Sequence, residues 1–212
     1  MIESVPRYLP LLLVLAGAIL PAADWIDLMP DQQLHRWTRV PIPPVPGGDP
    51  KMQWRVDPEH RILICKGDGA HEMLRYDKEF GDLILRVEWR YTPRAPDYKK
   101  YNSGIFVRTS KYGEIWYQAQ AGLSGAYWFG DTIVDGQLKR INLMKQMKEN
   151  RVKPAGEWNT YEIRAEGDKL TLDVNGGVVS ELTGCSLRKG YIGLEAEFHE
   201  IAFRSIKLKV LD

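Results

Sequence analysis

The sequence has almost no net charge, few cysteines and a single long apolar run. The 212 residues carry a formal net charge of +1 at pH 7, so bulk electrostatics give no indication of nucleic-acid binding. The two cysteines, Cys65 and Cys185, have no histidine cluster near them, which excludes a zinc site of the usual kind. Cys65 lies in an apolar stretch, so a buried free thiol and a disulfide both remain open. Without internal repeats or low-complexity segments, the chain is expected to form one globular domain.

The apolar run, Leu9–Leu20, follows Arg7 and is followed by small residues up to Ala23. This order is typical of an export signal, and the run is short for a membrane span. We therefore predict a signal peptide at residues 1–23 and a single domain at residues 24–212. The protein is then expected to be periplasmic or extracellular and to have no stable membrane anchor. A retained anchor is the alternative.

Most of the chain beyond residue 23 alternates apolar and polar residues, which is the period of β-strands. Asn175-Gly176, between two such runs, is typical of a type I′ hairpin turn. The many short strands and the near absence of helical patterns predict an all-β fold, a two-sheet antiparallel β-sandwich. Residues 138–147 are an exception, because apolar residues recur there about every third position and allow a short helix. That segment is otherwise interpreted as a solvated loop, or as a basic lid over a ligand.

Candidate binding residues lie on the polar faces of the predicted strands. In Asn102–Thr109, Asn102, Gly104 and Arg108 share one face, and a glycine there lets a ligand or a neighbouring side chain approach closely. If the other strands share its sheet, the same surface gains Glu88, Arg90, Trp116, Gln118, Gln120, Glu195 and Glu197. Amides, carboxylates, guanidiniums and an aromatic ring are suited to sugar hydroxyls, so carbohydrate is the predicted partner. The alternative is that Arg108 and Glu88 are ordinary exposed strand residues with no role in binding. Glu88 would then form an ion pair on the exposed sheet.

A series of motifs spans the chain after the apolar run. They are Asp24–Leu28 with Leu34 and Trp37, Asp82–Arg90, Asn102–Arg108, Gln120, Gly156–Ile163, Asn175-Gly176, Gly190–Leu194 and Phe203-Arg204. Together and in this order they resemble the 3-keto-disaccharide hydrolase domain family. The resemblance implies a concanavalin A-like jelly roll with carbohydrate on its concave sheet. It also implies an exported bacterial protein that acts on 3-keto-glycosides.

Two strands depart from the pattern of that family. Where the family commonly has Tyr-Glu-x-Gln, Tyr117–Gln120 has an amide in place of the carboxylate. Where the family often has Leu-Gln-x-His-Gly, this chain has Glu195 and Glu197 in place of the amide and the imidazole. Ser205 also stands where an asparagine is usual. Either the acidic function has moved from one strand to another within one site, or the chain performs different chemistry.

The reaction implied by the resemblance needs a base, a proton donor and a stabiliser of negative charge. A ketone at C3 of a sugar acidifies the hydrogen on C2, and the resulting enolate can expel the C1 substituent before water adds. Glu195 and Glu197 lie two apart on one strand, hence on one face and ~7 Å apart. They are the predicted base and acid, with Glu88 as a further catalytic candidate and His199 as an alternative base.

The remaining candidates are assigned to charge stabilisation and binding. Arg90 or Arg108 is predicted to stabilise the oxyanion. The hydroxyl groups and one ring face of the sugar are predicted to be bound by Asn102, Trp116, Gln118 and Gln120. A divalent metal ion could replace the arginine, with donors among Glu88, Glu195, Glu197 and His199. Two other classes of function remain: a non-catalytic carbohydrate-binding sandwich, which does not need the carboxylate pair, and a structural interaction domain.

Overall fold

The computed structural model describes residues 24–43, 51–95 and 97–211, and these form two antiparallel β-sheets around one core. The strands are β1 (Ile26–Asp27), β2 (Trp37–Pro41), β3 (Trp54–Asp57), β4 (Ile62–Cys65), β5 (Glu72–Tyr76), β6 (Leu83–Tyr91), β7 (Gly104–Thr109), β8 (Trp116–Gln120), β9 (Trp128–Val134), β10 (Gln137–Asn142), β11 (Asn159–Glu166), β12 (Lys169–Val174), β13 (Gly177–Leu182), β14 (Tyr191–Ala196) and β15 (Ile201–Val210). One short 3-10 helix, Met144–Gln146, follows β10. The all-β sandwich expected from the sequence is confirmed.

The two sheets differ in strand order. The back sheet has the order β13-β12-β11-β6-β15-β4-β3, with β1 paired to β15. The front sheet has the order β10-β9-β8-β7-β14-β5-β2. Asn175 and Gly176 both have positive φ, 50° and 84°, between β12 and β13, which confirms the predicted hairpin turn.

The core lies between the sheets and is rich in aromatic residues. Trp89 and Tyr161 of the back sheet pack edge to face, with ring centroids 5.3 Å apart, and both are fully buried. Each such ring contributes roughly 2–3 kcal/mol through burial of apolar surface. The Tyr161 hydroxyl donates to the Gln120 carbonyl at 2.8 Å, and the Tyr91 hydroxyl donates to the Ala121 carbonyl. These two bonds fix the end of β8 in the front sheet against the back sheet.

The short helix that the pattern at residues 138–147 allows forms only as one 3-10 turn, and the alternative of a solvated loop does not hold up to Asn142, where the chain is a strand. β9 and β10 instead form a hairpin whose turn residues, Asp135 and Gly136, both have positive φ. Leu138, which the helical pattern placed on an apolar face, is 59% exposed on β10. The pairing of the strands therefore outweighs the three-residue recurrence of apolar side chains.

The two cysteines are free and buried, so they do not pair. Burial raises the pKa of the Cys65 thiol to about 12 and that of Cys185 to about 11. The predicted signal peptide lies outside the described residues. Within the described part of the chain, no helix has the length and apolarity needed to span a membrane.

Candidate functional site

A cluster of one histidine and two carboxylates lies on the face of the front sheet that is turned away from the core. We call this face the site face, and the cluster consists of His71, Glu195 and Glu197. On β14, Ile192, Leu194 and Ala196 belong to the core, so Glu195 projects the other way. Potential ligand atoms of the three cluster residues lie within 4.8 Å of one another. The sequence prediction that Glu195 and Glu197 share one surface therefore agrees with the structure.

Glu195 is held from both sides, by a residue of β8 and by a residue just before β5. Its side chain accepts from Gln118 Nε2 of β8 at 2.7 Å and contacts His71 Nε2, just before β5, at 2.9 Å. It is only 4% exposed. A carboxylate with both oxygens engaged has a fixed position, which is what a base needs to reach a particular hydrogen.

Glu197 is positioned by a relay of two amides. Gln120 Nε2 donates to Asn102 Oδ1 at 2.5 Å, and Asn102 Nδ2 donates to Glu197 Oε2 at 2.5 Å. Because the Asn102 oxygen is used as an acceptor, its nitrogen faces Glu197. The structure thus brings together five of the residues expected from the sequence: Asn102, Gln118, Gln120, Glu195 and Glu197.

Gly104 makes the link between β8 and β14 possible. A Cβ at this position would lie 2.2 Å from Nε2 of Gln118, which extends over β7 to reach Glu195. A side chain at position 104 would displace that amide. The close approach predicted for Gly104 is therefore made by a neighbouring side chain, Gln118.

The protonation of the cluster follows from burial and from its own charges. Burial, and then the charge of Glu195, raise the pKa of the Glu197 carboxyl. Burial alone would lower the pKa of His71, but the hydrogen bond and charge of Glu195, with the charge of Glu197, outweigh it and raise that pKa. The cluster therefore favours keeping protons on Glu197 and on His71.

The same three residues could hold a divalent metal ion. One imidazole nitrogen and two carboxylates form a donor set that many divalent cations accept. In this donor set His71 takes the place predicted for His199 from the sequence. His199 is not a donor, because both of its ring nitrogens already have hydrogen-bond partners. Its Nδ1 accepts from the Asn102 backbone N–H at 3.2 Å, and its Nε2 lies 2.6 Å from the Tyr98 hydroxyl. Burial lowers the pKa of His199, in keeping with a neutral ring.

A cavity of about 270 Å³ opens beside the cluster on the site face. His71 and Glu195 line one end of it. Its other lining residues are Ile42, Pro43, Met73, Phe106, Thr109, Tyr112, Gly113, Trp116, Asp131 and Arg140. Trp116 thus lies where its ring can contact a ligand, as expected from the sequence.

Arg108 does not reach this surface. Its backbone has φ of 48°, next to an irregularity in the pairing of β7 with β14, and its side chain is fully buried. The guanidinium donates to the Gly81 carbonyl at 3.2 Å, the Gly167 carbonyl at 2.6 Å and Asp82 at 2.6 Å. The strand alternation breaks at this residue, so the simple pattern placed Arg108 on the wrong side.

Glu88 and Arg90 lie on the other sheet. They belong to β6 in the back sheet and alternate with core residues, so they face away from the core on the opposite side of the sandwich. Glu88 pairs with Arg204, and Arg90 lies over the Trp158 ring at 4.5 Å. The expectation that β6 shares a sheet with β7, β8 and β14 is wrong, and neither residue belongs to the cluster.

Sequence reasoning missed His71 and the far wall of the cavity. Arg140 donates to Asp131 at 2.5 Å, and Asp131 accepts from the Trp116 indole N–H at 3.1 Å. His71 and Met73 alternate with Glu72 and Leu74, a signal that would have placed the first two on the site face. For Arg140, the helical interpretation of its segment hid the strand alternation.

The family of the chain follows from a comparison of its sequence with known protein families. The model of the 3-keto-alpha-glucoside-1,2-lyase-like domain matches residues 24–209. The chain belongs to this family, which confirms the resemblance drawn from its motifs. A comparison with functionally curated proteins gives no match.

Several solved structures have the same sandwich. They include the carbohydrate-binding module CBM66 from Bacillus subtilis, with 14% identity, a TM-score of 0.60, and coverage of 82% of this chain and 95% of that one. A β-1,3-1,4-glucanase (lichenase) from a mouse hindgut metagenome has 10% identity, a TM-score of 0.60, and coverage of 90% and 100%. LamAcat from Zobellia galactanivorans has 10% identity, a TM-score of 0.61, and coverage of 89% and 98%. At these identities the likeness establishes the fold, which is of the concanavalin A-like glucanase type.

Proposed function

We propose that this protein cleaves 3-keto-glycosides by eliminating the C1 substituent. The observation that carries the proposal is the cluster of His71, Glu195 and Glu197 beside a cavity on the site face. Membership of the lyase-like family and a fold shared with glucanases and a carbohydrate-binding module support a carbohydrate as the ligand. Two carboxylates in unlike environments support acid–base chemistry on it.

Glu195 is the base in this proposal. It lines the cavity, and Gln118 and His71 hold its carboxylate in place. It removes the hydrogen on C2, and the electron pair of that C–H bond forms the enolate with the C3 ketone. The enolate then re-forms the ketone, the C1–O bond breaks, and a double bond forms between C1 and C2.

Glu197 is the acid, and His71 supplies positive charge. The raised pKa of Glu197 supports a carboxyl that can protonate the departing alkoxide. The raised pKa of His71 supports an imidazolium near the enolate, in the role first assigned to an arginine. A divalent ion bound by the cluster would supply stronger charge stabilisation at the same place. Asn102 and Gln120 would bind sugar hydroxyls while they orient Glu197.

The experiment compares the domain, residues 24–212, on 3-keto-glycosides and on the same glycosides without the ketone. Elimination requires the ketone, so we expect release of the C1 substituent from the keto compounds only. The unsaturated ketone should appear as a new near-ultraviolet absorbance before water adds. Equal cleavage of the parent glycosides would contradict the proposal and indicate an ordinary glycosidase.

A non-catalytic carbohydrate-binding module is the second candidate. The Trp116 ring, held by Asp131 at the edge of the cavity, favours it, because exposed rings stack on sugars. Such a module would bind glycosides with no turnover of any of them. Calorimetry with the parent sugars, in parallel with the cleavage assay, separates the two functions.

We also propose that the protein acts after export, in the periplasm or outside the cell. The apolar run at Leu9–Leu20 and the small residues up to Ala23 support this proposal. Mass spectrometry of protein from a native-type host should then find an N-terminus near Asp24. Full-length chain retained in the membrane would contradict it.

A further inference from the structure

The site face is divided along its strands into a polar half and an apolar half. On β8, the side chains facing outward are Trp116, Gln118 and Gln120 in that order. Gln120 pairs with Gly104 and Gln118 pairs with Phe106. The amides and the cluster therefore gather towards one end of the strands, and the rings gather towards the other.

Met73 and Gly193 form the floor of the apolar half. A Cβ at position 193 would lie 2.4 Å from the Met73 sulfur, so the thioether lies across β14 in the space that the glycine leaves open. The Phe106 ring borders the same place, 3.2 Å from that position. Met73, Phe106 and Val40 form a small apolar cluster of their own, separate from the core, with Ile42 and Trp116 packed against it. An apolar cluster that lines a cavity outside the core is typical of a ligand pocket.

Trp116 forms a fixed wall of this half. Its ring packs edge to face on Phe106, with centroids 5.8 Å apart, and its indole N–H donates to Asp131. Arg140, already bonded to Asp131, lies 5.5 Å over the same ring. The wall is held in place before any ligand binds, and the polar groups of Trp116, Asp131 and Arg140 already bond to one another.

Most of the surface that lines this cavity is apolar, although the Tyr112 hydroxyl and the Arg140 guanidinium also line it. Its walls at Ile42, Pro43, Met73 and Phe106 offer no side-chain partner for hydroxyl groups. A sugar in this half would lose hydrogen bonds to water at those walls without replacing them, whereas a flat apolar ring would not. The volume of about 270 Å³ accommodates one such ring beside Glu195.

We propose that the apolar half binds an apolar, ring-containing aglycone, while the 3-keto sugar lies over the polar half. The inference rests on the proposed function, since it takes Glu195, at the boundary of the two halves, as the base at C2. The substrates would then be 3-keto-glycosides of aromatic or alicyclic alcohols, in preference to 3-keto-disaccharides. The bond cleaved is the one between the sugar C1 and the oxygen of that alcohol.

The test compares benzyl 3-keto-glucoside with a 3-keto-disaccharide of the same anomeric configuration. Benzyl alcohol is a weaker acid than a sugar hydroxyl, so leaving-group strength favours the disaccharide, and a preference for the benzyl compound reports binding of the aglycone. We expect kcat/KM for the benzyl compound to be at least ~10-fold higher. Trp116→Ala should reduce that ratio by ~10-fold. The matched control Trp158→Ala, on the outer face of the back sheet, should leave it unchanged.

The outcomes separate this inference from the proposed function. Equal kcat/KM for the two compounds, or a preference for the disaccharide, would overturn the inference and leave the elimination standing. If neither compound is cleaved, the proposed function fails. The inference is then tested by comparing the affinities of the protein for the two compounds. Glu195→Gln keeps the cavity, so calorimetry should still find tighter binding of the benzyl compound, by ~10-fold. Equal binding would then overturn the inference as well.

Discussion

Gln118 Nε2 donates a hydrogen bond to Glu195 Oε2 at 2.7 Å. The Gln118 side chain passes over Gly104 of β7, the strand that lies between β8 and β14. The family commonly has a carboxylate at the position of Gln118 and an amide at the position of Glu195, so this chain has the two groups exchanged. His71, just before β5, likewise brings an imidazole to the cluster, and Glu197, just after β14, stands where the family often has a histidine. This geometry favours the interpretation in which the acidic function moves between strands within one site.

The first prediction concerns this exchange. Glu195→Gln keeps the shape of the side chain but removes the proton acceptor, so turnover of a 3-keto-glycoside should fall by ~10²–10⁴. Adding Gln118→Glu restores a carboxylate in the same pair, and turnover should recover to within ~10-fold of the original protein. Steady-state kinetics measure both variants.

A third variant serves as the control. Glu88→Gln, on the back sheet, should have unchanged turnover. A double variant as inactive as Glu195→Gln, with folding intact by circular dichroism, would show that the base cannot be moved between the two strands. Loss of turnover in Glu88→Gln would contradict the assignment of the site to the front sheet alone, because Glu88 lies on the back sheet.

The second prediction is that Arg108 acts in stability and not in binding. Arg108→Met leaves the carbonyls of Gly81 and Gly167 without this donor, and leaves the partly exposed Asp82 with the Gly167 N–H alone. Lost hydrogen bonds of a charged, buried donor should lower the free energy of unfolding by about 2–3 kcal/mol. Urea denaturation measures the loss, and activity per folded molecule should be retained.

Arg86→Met is the matched control, since Arg86 pairs with Glu162 on the exposed outer face of the back sheet. An exposed pair contributes little, so its loss should cost less than about 1 kcal/mol. If Arg108→Met were as stable as this control but lost substrate affinity, Arg108 would return to the binding site.

The third prediction follows from the raised pKa values of the buried thiols. With a pKa of about 12 for Cys65 and about 11 for Cys185, little thiolate is present at pH 8, so the native protein should resist iodoacetamide. The thiols favour the folded state fully below pH 9, the ordinary thiol pKa, and this contribution is lost as pH rises towards the folded values. Mass spectrometry should find both cysteines alkylated only in urea, and rapid native labelling at pH 8 would contradict this.

The fourth prediction concerns metal binding by His71, Glu195 and Glu197. A divalent cation such as Mn²⁺ should raise the Tm of chelator-treated protein, because a ligand that binds only the folded state stabilises it. His71→Ala should abolish that rise. His35→Ala, which alters an exposed histidine, should not. An unchanged Tm in the original protein would contradict metal binding. The positive charge near the enolate would then come from His71 itself.

The sequence predicts the fold well because the strand period is local. Burial on alternate residues of β6, from Leu83 to Tyr91, follows directly from the pattern. The pattern does not say which sheet a strand joins, and for that reason Glu88 and Arg90 were grouped with the wrong surface. Arg108 was misplaced for another reason, since the irregular pairing beside it depends on contacts distant in sequence. His71 was missed because its partner, Glu195 on β14, is distant in sequence.

The most direct test of the account follows the hydrogen on C2 of a 3-keto-glycoside in D₂O by NMR. If Glu195 removes that hydrogen, the free 3-keto sugar should carry deuterium at C2, and Glu195→Gln should slow both exchange and cleavage. Spontaneous exchange without enzyme is subtracted as the background. Cleavage that retains hydrogen at C2 would contradict the account, because the C1–O bond would then break without an enolate.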